Sequence, residues 1–155
     1  MFNQFLRYVW VLFCLLGING VAHAEMSPAE YAIKFRKSSF TVLGWYYGSM
    51  RRVIKGINSY DRTAFLADAE RVAFLSKLPK EGFITGSEVG ATKAKLDIWT
   101  KPEIFKEEYE RFEKEAAKLA ELAKEGDFNL IKAQFGKVQQ TCKTCHDDFL
   151  KRDFE

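Results

Sequence analysis

The sequence predicts an all-α fold, an antiparallel up-down four-helix bundle, on three observations. From residue 28 onward apolar residues recur at spacings of three and four, and no alternating strand pattern interrupts them. Helix-start and helix-stop signals divide that stretch into four segments. The links between the first two segments and between the last two are short, which makes each pair antiparallel neighbours.

The residues before the first segment read as an export signal rather than as part of the bundle. Arg7 gives a charged start, Tyr8 to Leu16 an apolar stretch, and Ala22-His23-Ala24 an A-x-A cleavage site. The apolar stretch is broken by Asn19 and Gly20, short of the about 20 residues a membrane span needs. The expected division is therefore residues 1–24 as a cleaved signal and 25–155 as one mature domain, without a membrane anchor after cleavage. Cleavage removes Cys14, His23 and Arg7, so Lys plus Arg falls from 24 to 23 against 21 acidic residues. A balance so close to neutral, with no basic stripe, argues against nucleic acid as a partner.

Ser27-Pro28-Ala29-Glu30 is a capping box with proline at the first helical position, and it opens a helix that runs to about Lys55 and stops at Gly56. Phe35, Val42, Tyr46, Met50 and Val53 mark one stripe on it, and Arg36, Phe40, Leu43 and Tyr47 a second. Two adjacent faces suit two partners, a core and a subunit interface, with Trp45 and Met50 as interface candidates. Asp61 caps a second helix to about Leu78, with Phe65, Ala69, Val72 and Leu75 inward and Pro79 closing it. The pattern lapses from Lys80 to Trp99, where Gly82, Gly86 and Gly90 punctuate a loop whose length suggests a functional role. Thr100-Lys101-Pro102-Glu103 reads as another capping box, opening a third helix with Phe105, Tyr109, Phe112, Ala116, Leu119 and Ala123 at seam spacing. Gly126 ends it and Asp127 caps the fourth, whose inner side carries Leu130, Ile131, Phe135, Val138, Cys142, Cys145 and Phe149.

The chemistry sits on that last helix. Cys142-Lys143-Thr144-Cys145-His146 is a C-x-x-C-H run, the attachment signature of a covalent haem c. On a helix the three side chains project from one face. Two thiols there can form thioethers with the haem vinyl groups while the His146 imidazole reaches the iron. A thioredoxin-like pair would open a helix after a strand, and no strand-like run precedes Cys142. A zinc site would want a fourth ligand, and no other Cys or His survives signal cleavage. One haem per chain then fills the core of the bundle.

A C-x-x-C-H run on the last helix of a four-helix bundle resembles cytochrome c′, the high-spin branch of the class II c-type cytochromes. The likeness extends over residues 28 to 154 and includes Ile33-Lys34-Phe35-Arg36, Leu78-Pro79, Asp97-Ile98-Trp99 and Gly126-Asp127. Class I cytochromes carry the motif early with a methionine ligand well downstream, and residues 147 to 155 hold no methionine. The resemblance implies that Arg36 lies near the haem propionates, Lys37 beside the haem, and Phe40 over the vacant iron face. It places Phe83, Thr92, Lys93 and Trp99 along the haem edge. It implies a homodimer, a periplasmic location, and a role in electron transfer or in binding nitric oxide and carbon monoxide, with the redox partner unspecified. One departure stands out: the family carries a basic residue four positions after the haem histidine, and here Leu150 occupies it.

The iron's sixth position can also be read from the residues. Phe40 and Met50 are ten residues apart, about 15 Å along a helix, so only one of them faces the iron. Phe40 there gives five-coordinate iron. Met50 there gives a low-spin electron carrier. Under a phenyl ring bound dioxygen lacks a hydrogen-bond donor, whereas NO and CO depend less on one. Without a distal His or Arg, peroxide or NO reduction is the weaker reading, and a non-enzymatic function is expected.

Overall fold

The structure is a computed structural model that describes residues 25–152. The expected export signal, Met1 to Ala24, lies outside the described residues. Four long helices make up the frame: α1 (Pro28–Ile54), α2 (Arg62–Leu75), α4 (Pro102–Glu125) and α5 (Phe128–Phe149). A 3-10 turn (Pro79–Gly82) and a short helix α3 (Asp97–Thr100) lie within the long connection between α2 and α4. No helix among the described residues is long and apolar enough to cross a membrane.

Local chemistry explains most of the boundaries. Ser27 and Glu30 close the expected box: the Glu30 amide donates to Ser27 Oγ at 3.3 Å and the Ser27 amide to Glu30 Oε2 at 2.7 Å. Asp61 caps α2 through the Ala64 amide, and Asp127 caps α5 through the amides of Asn129 and Leu130. Gly126 ends α4 at φ 87°, in the left-handed region, and a Cβ there would stand 2.8 Å from Arg62 Nε. Arg62 in turn donates to the Lys124 carbonyl, so the start of α2 meets the end of α4. Past the other end of α2, Lys80 pairs with Glu113. These two ties run α2 and α4 antiparallel.

Helix α1 packs on α2, α2 on α4, and α4 on α5. The ring closes where Tyr47 of α1 stacks on Phe135 of α5, centroids 4.7 Å apart and planes 12° from parallel. One apolar cluster fills the middle, built from Leu43, Met50, Phe65, Val72, Tyr109, Leu119, Ile131, Phe135 and Val138. A smaller cluster of Ala94, Ile98 and Phe149 sits at the end where α5 finishes.

The sequence expectations fail at four places. The box at Thr100 does not form: Thr100 belongs to α3, its hydroxyl donates back to the Leu96 carbonyl, and Lys101 precedes α4 without any side-chain cap. A local turn captured the threonine first. Helix α2 stops at Leu75 rather than near Leu78, because the chain tightens through Ser76 into the 3-10 turn. Leu130 is 48 % exposed, and the buried side of α5 begins instead at Ile131. Met50 is 1 % exposed inside the main cluster, so it belongs neither to an outer face nor to the cavity described below. Phe35 and Val42 from the same stripe stay on the surface, and the stripe therefore splits between core and solvent.

Candidate functional site

A cavity of about 760 Å³ opens between α1 and α5 at the end away from the Tyr47–Phe135 stack. Cys145 and His146 lie on its α5 wall, Arg36, Lys37, Phe40 and Thr41 on its α1 wall. Phe83, Thr92 and Lys93 come from the long loop, Ile98 from α3, Phe105 from α4, and Phe149 and Leu150 close it from beyond His146. The volume falls in the range of cofactor sites, and the lining is chiefly apolar and aromatic with a few polar groups.

Eight of the ten residues singled out from the sequence therefore share one cavity: Arg36, Lys37, Phe40, Phe83, Thr92, Lys93, Cys145 and His146. The other two stand just behind it. Cys142, one turn before Cys145, packs half-buried against the main cluster. Trp99 backs Phe83, with ring centroids 6.0 Å apart, and its Nε1 donates to the Ile84 carbonyl. Sequence reasoning missed Thr41, Ala94, Ile98 and Phe105 as wall residues. Phe105 was legible as an inward residue, but nothing in its spacing distinguishes the cavity end of the seam from the packed end.

Burial pushes the Cys142 thiol up to about 11 and the Cys145 thiol up to about 12. Both cysteines are free, and thiols held protonated in this way are poor partners for disulfide exchange. His146 exposes its imidazole to the cavity, and desolvation there lowers its basicity while Asp147 works in the opposite sense. A neutral imidazole is the form that ligates a metal. Among the described residues no group of three His, Cys, Asp or Glu side chains is placed to hold a bare metal ion. The donor set suits a haem instead: thiols for its vinyl groups and one imidazole for its iron, on the wall of a cavity of cofactor size.

Arg36 is the most heavily hydrogen-bonded polar side chain in the site. It is 2 % exposed, and its Nη1 donates to the Gly82 carbonyl at 2.6 Å and to Ser87 Oγ at 2.7 Å. Its Nη2 donates to the Ser87 carbonyl at 2.6 Å and to Thr92 Oγ1 at 2.9 Å. Phe83 and Trp99 present ring faces to the guanidinium at 4.6 and 5.5 Å. Burial lowers its pKa, although a guanidinium remains charged. No carboxylate among the described residues pairs with it, so a buried positive charge stands at the cavity wall. Gly82 makes the clamp possible: a Cβ there would fall 2.7 Å from the Ala32 carbonyl oxygen and 2.8 Å from Arg36 Cβ.

The segment after His146 is tied to the same loop. Ala94 and Leu150 form an antiparallel bridge, flanked by bonds from the Lys95 amide to the Phe149 carbonyl and from the Lys151 amide to the Lys93 carbonyl. Leu150 thus presents an apolar side chain to the cavity, while Arg152 turns away to Asp147.

A bundle whose last helix offers a cysteine and a histidine to a cavity, with a second cysteine one turn behind them, defines a class II type of c-type cytochrome scaffold. The comparisons narrow this further. The Cytochrome C' family matches residues 31–150. Cytochrome c′ of Halomonas halodenitrificans is 39 % identical over 126 residues, 77 % of this chain and 96 % of that protein. Cytochrome c′ of Alcaligenes xylosoxydans xylosoxydans is 34 % identical over 128 residues, 83 % of this chain and 99 % of that one. Among solved structures, cytochrome c prime from Shewanella frigidimarina superposes with a TM-score of 0.79 at 38 % identity, covering 83 % of this chain and 99 % of that one. A nitric oxide complex of a cytochrome c prime mutant from Alcaligenes xylosoxidans gives 0.78 at 35 % identity, covering 83 % and 100 %. This chain belongs to the cytochrome c′ family.

Proposed function

We propose that this protein is an exported, periplasmic cytochrome with one haem c, joined through Cys142 and Cys145 and ligated by His146, that carries electrons and binds nitric oxide or carbon monoxide. The observation that carries the reading is the shared cavity, with Cys145 and His146 on one wall and Phe40 on the α1 wall. When bound, the haem would supply one-electron chemistry and an iron able to take a small diatomic ligand.

The chain's own residues set the selectivity. Phe40 narrows the cavity from α1. The polar groups beside it are already committed: Thr41 Oγ1 donates to the Lys37 carbonyl at 2.8 Å, Lys37 Nζ to the Ala91 carbonyl at 3.2 Å, and the Arg36 terminal nitrogens to loop oxygens. Each already makes a hydrogen bond to a backbone or loop oxygen, and none is a histidine or carboxylic acid of the kind that relays a proton in peroxide or NO reduction. That supports five-coordinate iron open to NO and CO, and a carrier rather than an enzyme. Met50, the alternative sixth ligand, is spent in the main core.

The outer face of α1 supports a homodimer. Tyr31, Phe35, Val42 and Trp45 are 56, 40, 46 and 74 % exposed at heptad-like spacing, an apolar stripe along the outside of the helix. The deciding experiment joins the intact mass of the exported protein with ferric and ferrous spectra, taken with and without NO and CO. One haem added per chain and a high-spin spectrum that changes with either gas are expected. A mass equal to the bare mature polypeptide, or a low-spin spectrum indifferent to both gases, would overturn the proposal.

A further inference from the structure

The cavity has one polar wall, and its hydrogen bonds can be accounted for atom by atom. Four of the five guanidinium N–H groups of Arg36 are donated to Gly82, Ser87 and Thr92, and only Nε–H remains. The terminal nitrogens, which would grip a carboxylate in two-pronged fashion, are therefore already used up by the loop. The positive charge itself is not cancelled, because all four acceptors are neutral.

Thr92 is where the clamp ends. Its Oγ1 accepts from Arg36 Nη2 at 2.9 Å and from the Ala94 amide at 3.1 Å. A hydroxyl has two lone pairs and one hydrogen, so both acceptor positions are filled and only donation is left. Among the described residues nothing accepts that hydrogen, and Thr92 lies on the cavity wall. A donor-only hydroxyl polarised by a guanidinium, facing a cavity in a field of uncancelled positive charge, is matched by an anionic oxygen.

Resting on the haem reading above, we propose that Thr92 is the residue that donates a hydrogen bond to a haem propionate, and that Arg36 acts on that carboxylate through Thr92 rather than through its own terminal nitrogens. Arg36 is then a positioning residue: it fixes the hydroxyl and supplies charge. The Ala94 bond carries the same order into the bridge with Leu150, so the propionate contact and the segment beyond His146 share one scaffold.

The test uses the holoprotein and the propionate-bending band of its resonance Raman spectrum, whose frequency follows hydrogen bonding to the carboxylate. Thr92→Val should move that band to lower frequency, and Thr92→Ser, which keeps donor and acceptor, should leave it in place. Ser87→Ala is the control, because it loosens the same clamp without touching the Thr92 hydroxyl. It should leave the band where it is. A Thr92→Val band at the wild-type frequency would overturn the proposal, and so would equal shifts in Thr92→Val and Ser87→Ala. Absence of covalent haem from the wild-type mass would instead refute the haem reading itself, which keeps the two failures apart.

Discussion

Tyr47 carries its hydroxyl into the bundle, where no partner among the described residues receives it, while its ring stacks on Phe135. The stack survives a change to phenylalanine and the unpaired hydroxyl does not. Tyr47→Phe should therefore leave stability unchanged or raise it by about 1 kcal/mol in a denaturant titration, since an unpaired buried hydroxyl costs about 1–3 kcal/mol. Burial, with a smaller contribution from nearby Cys142, pushes the Tyr47 phenol up to about 12. An unfolded tyrosine titrates near about 10, so the folded chain holds this proton more tightly. Its contribution to stability is whole below that value and is lost as pH rises through the folded value. The wild type should weaken across that alkaline window, and Tyr47→Phe should weaken less in the same melts. Phe40 makes a different kind of prediction, because it acts by bulk. Phe40→Ala should raise CO association about tenfold, the effect of removing about 1.4 kcal/mol of barrier, and stopped-flow mixing of the ferrous protein reads it. Equal association rates would show that the ring does not stand in the ligand's way.

At the scale of elements, the long connection between α2 and α4 depends on how closely the 3-10 turn approaches α1. Gly82→Ala would press a methyl group against the Ala32 carbonyl and Arg36 Cβ, neither of which can yield without moving the helix. The expected cost is about 1–3 kcal/mol in thermal unfolding, with loss of amide protection across residues 83–96. The helices themselves are legible in the sequence, because their signals are local. Ser27 and Glu30, Asp61, Gly126 and Asp127 each act within a few residues of where they stand. Arg36 shows what local reading misses. Its position on α1 implied a place near the haem, but its acceptors lie 46 to 56 residues away, and no spacing rule reports that its terminal nitrogens are spoken for. Met50 was misread for a related reason: two apolar stripes on α1 are visible in sequence, but which part of each turns inward depends on where α2 and α5 lie. Thr100 does not cap α4 because the short helix α3, which the sequence did not announce, takes it in first.

For the whole molecule, assembly and cofactor loading are the properties at stake. Trp45→Glu puts a charge on the most exposed member of the α1 stripe, at its C-terminal end, and should shift sedimentation toward monomer while the fold is retained. An unchanged sedimentation coefficient in wild type and variant would place any association elsewhere. His146→Ala should lower thermal stability as well as remove the iron's ligand, because a group bound only by the folded chain adds its binding free energy to folding. The described residues contain two tryptophans, and their settings differ in a useful way. Trp45 is largely open to solvent on α1, whereas Trp99 is half-buried behind Phe83 at the cavity. These two residues are therefore built-in fluorescent reporters, Trp10 lying in the expected export signal. Light emitted by Trp99 should be extinguished when a strongly absorbing group fills the cavity, while the colour of Trp45 emission should shift to the blue when its face is covered. Single-tryptophan versions, Trp45→Phe and Trp99→Phe, would let one cuvette follow loading and pairing separately.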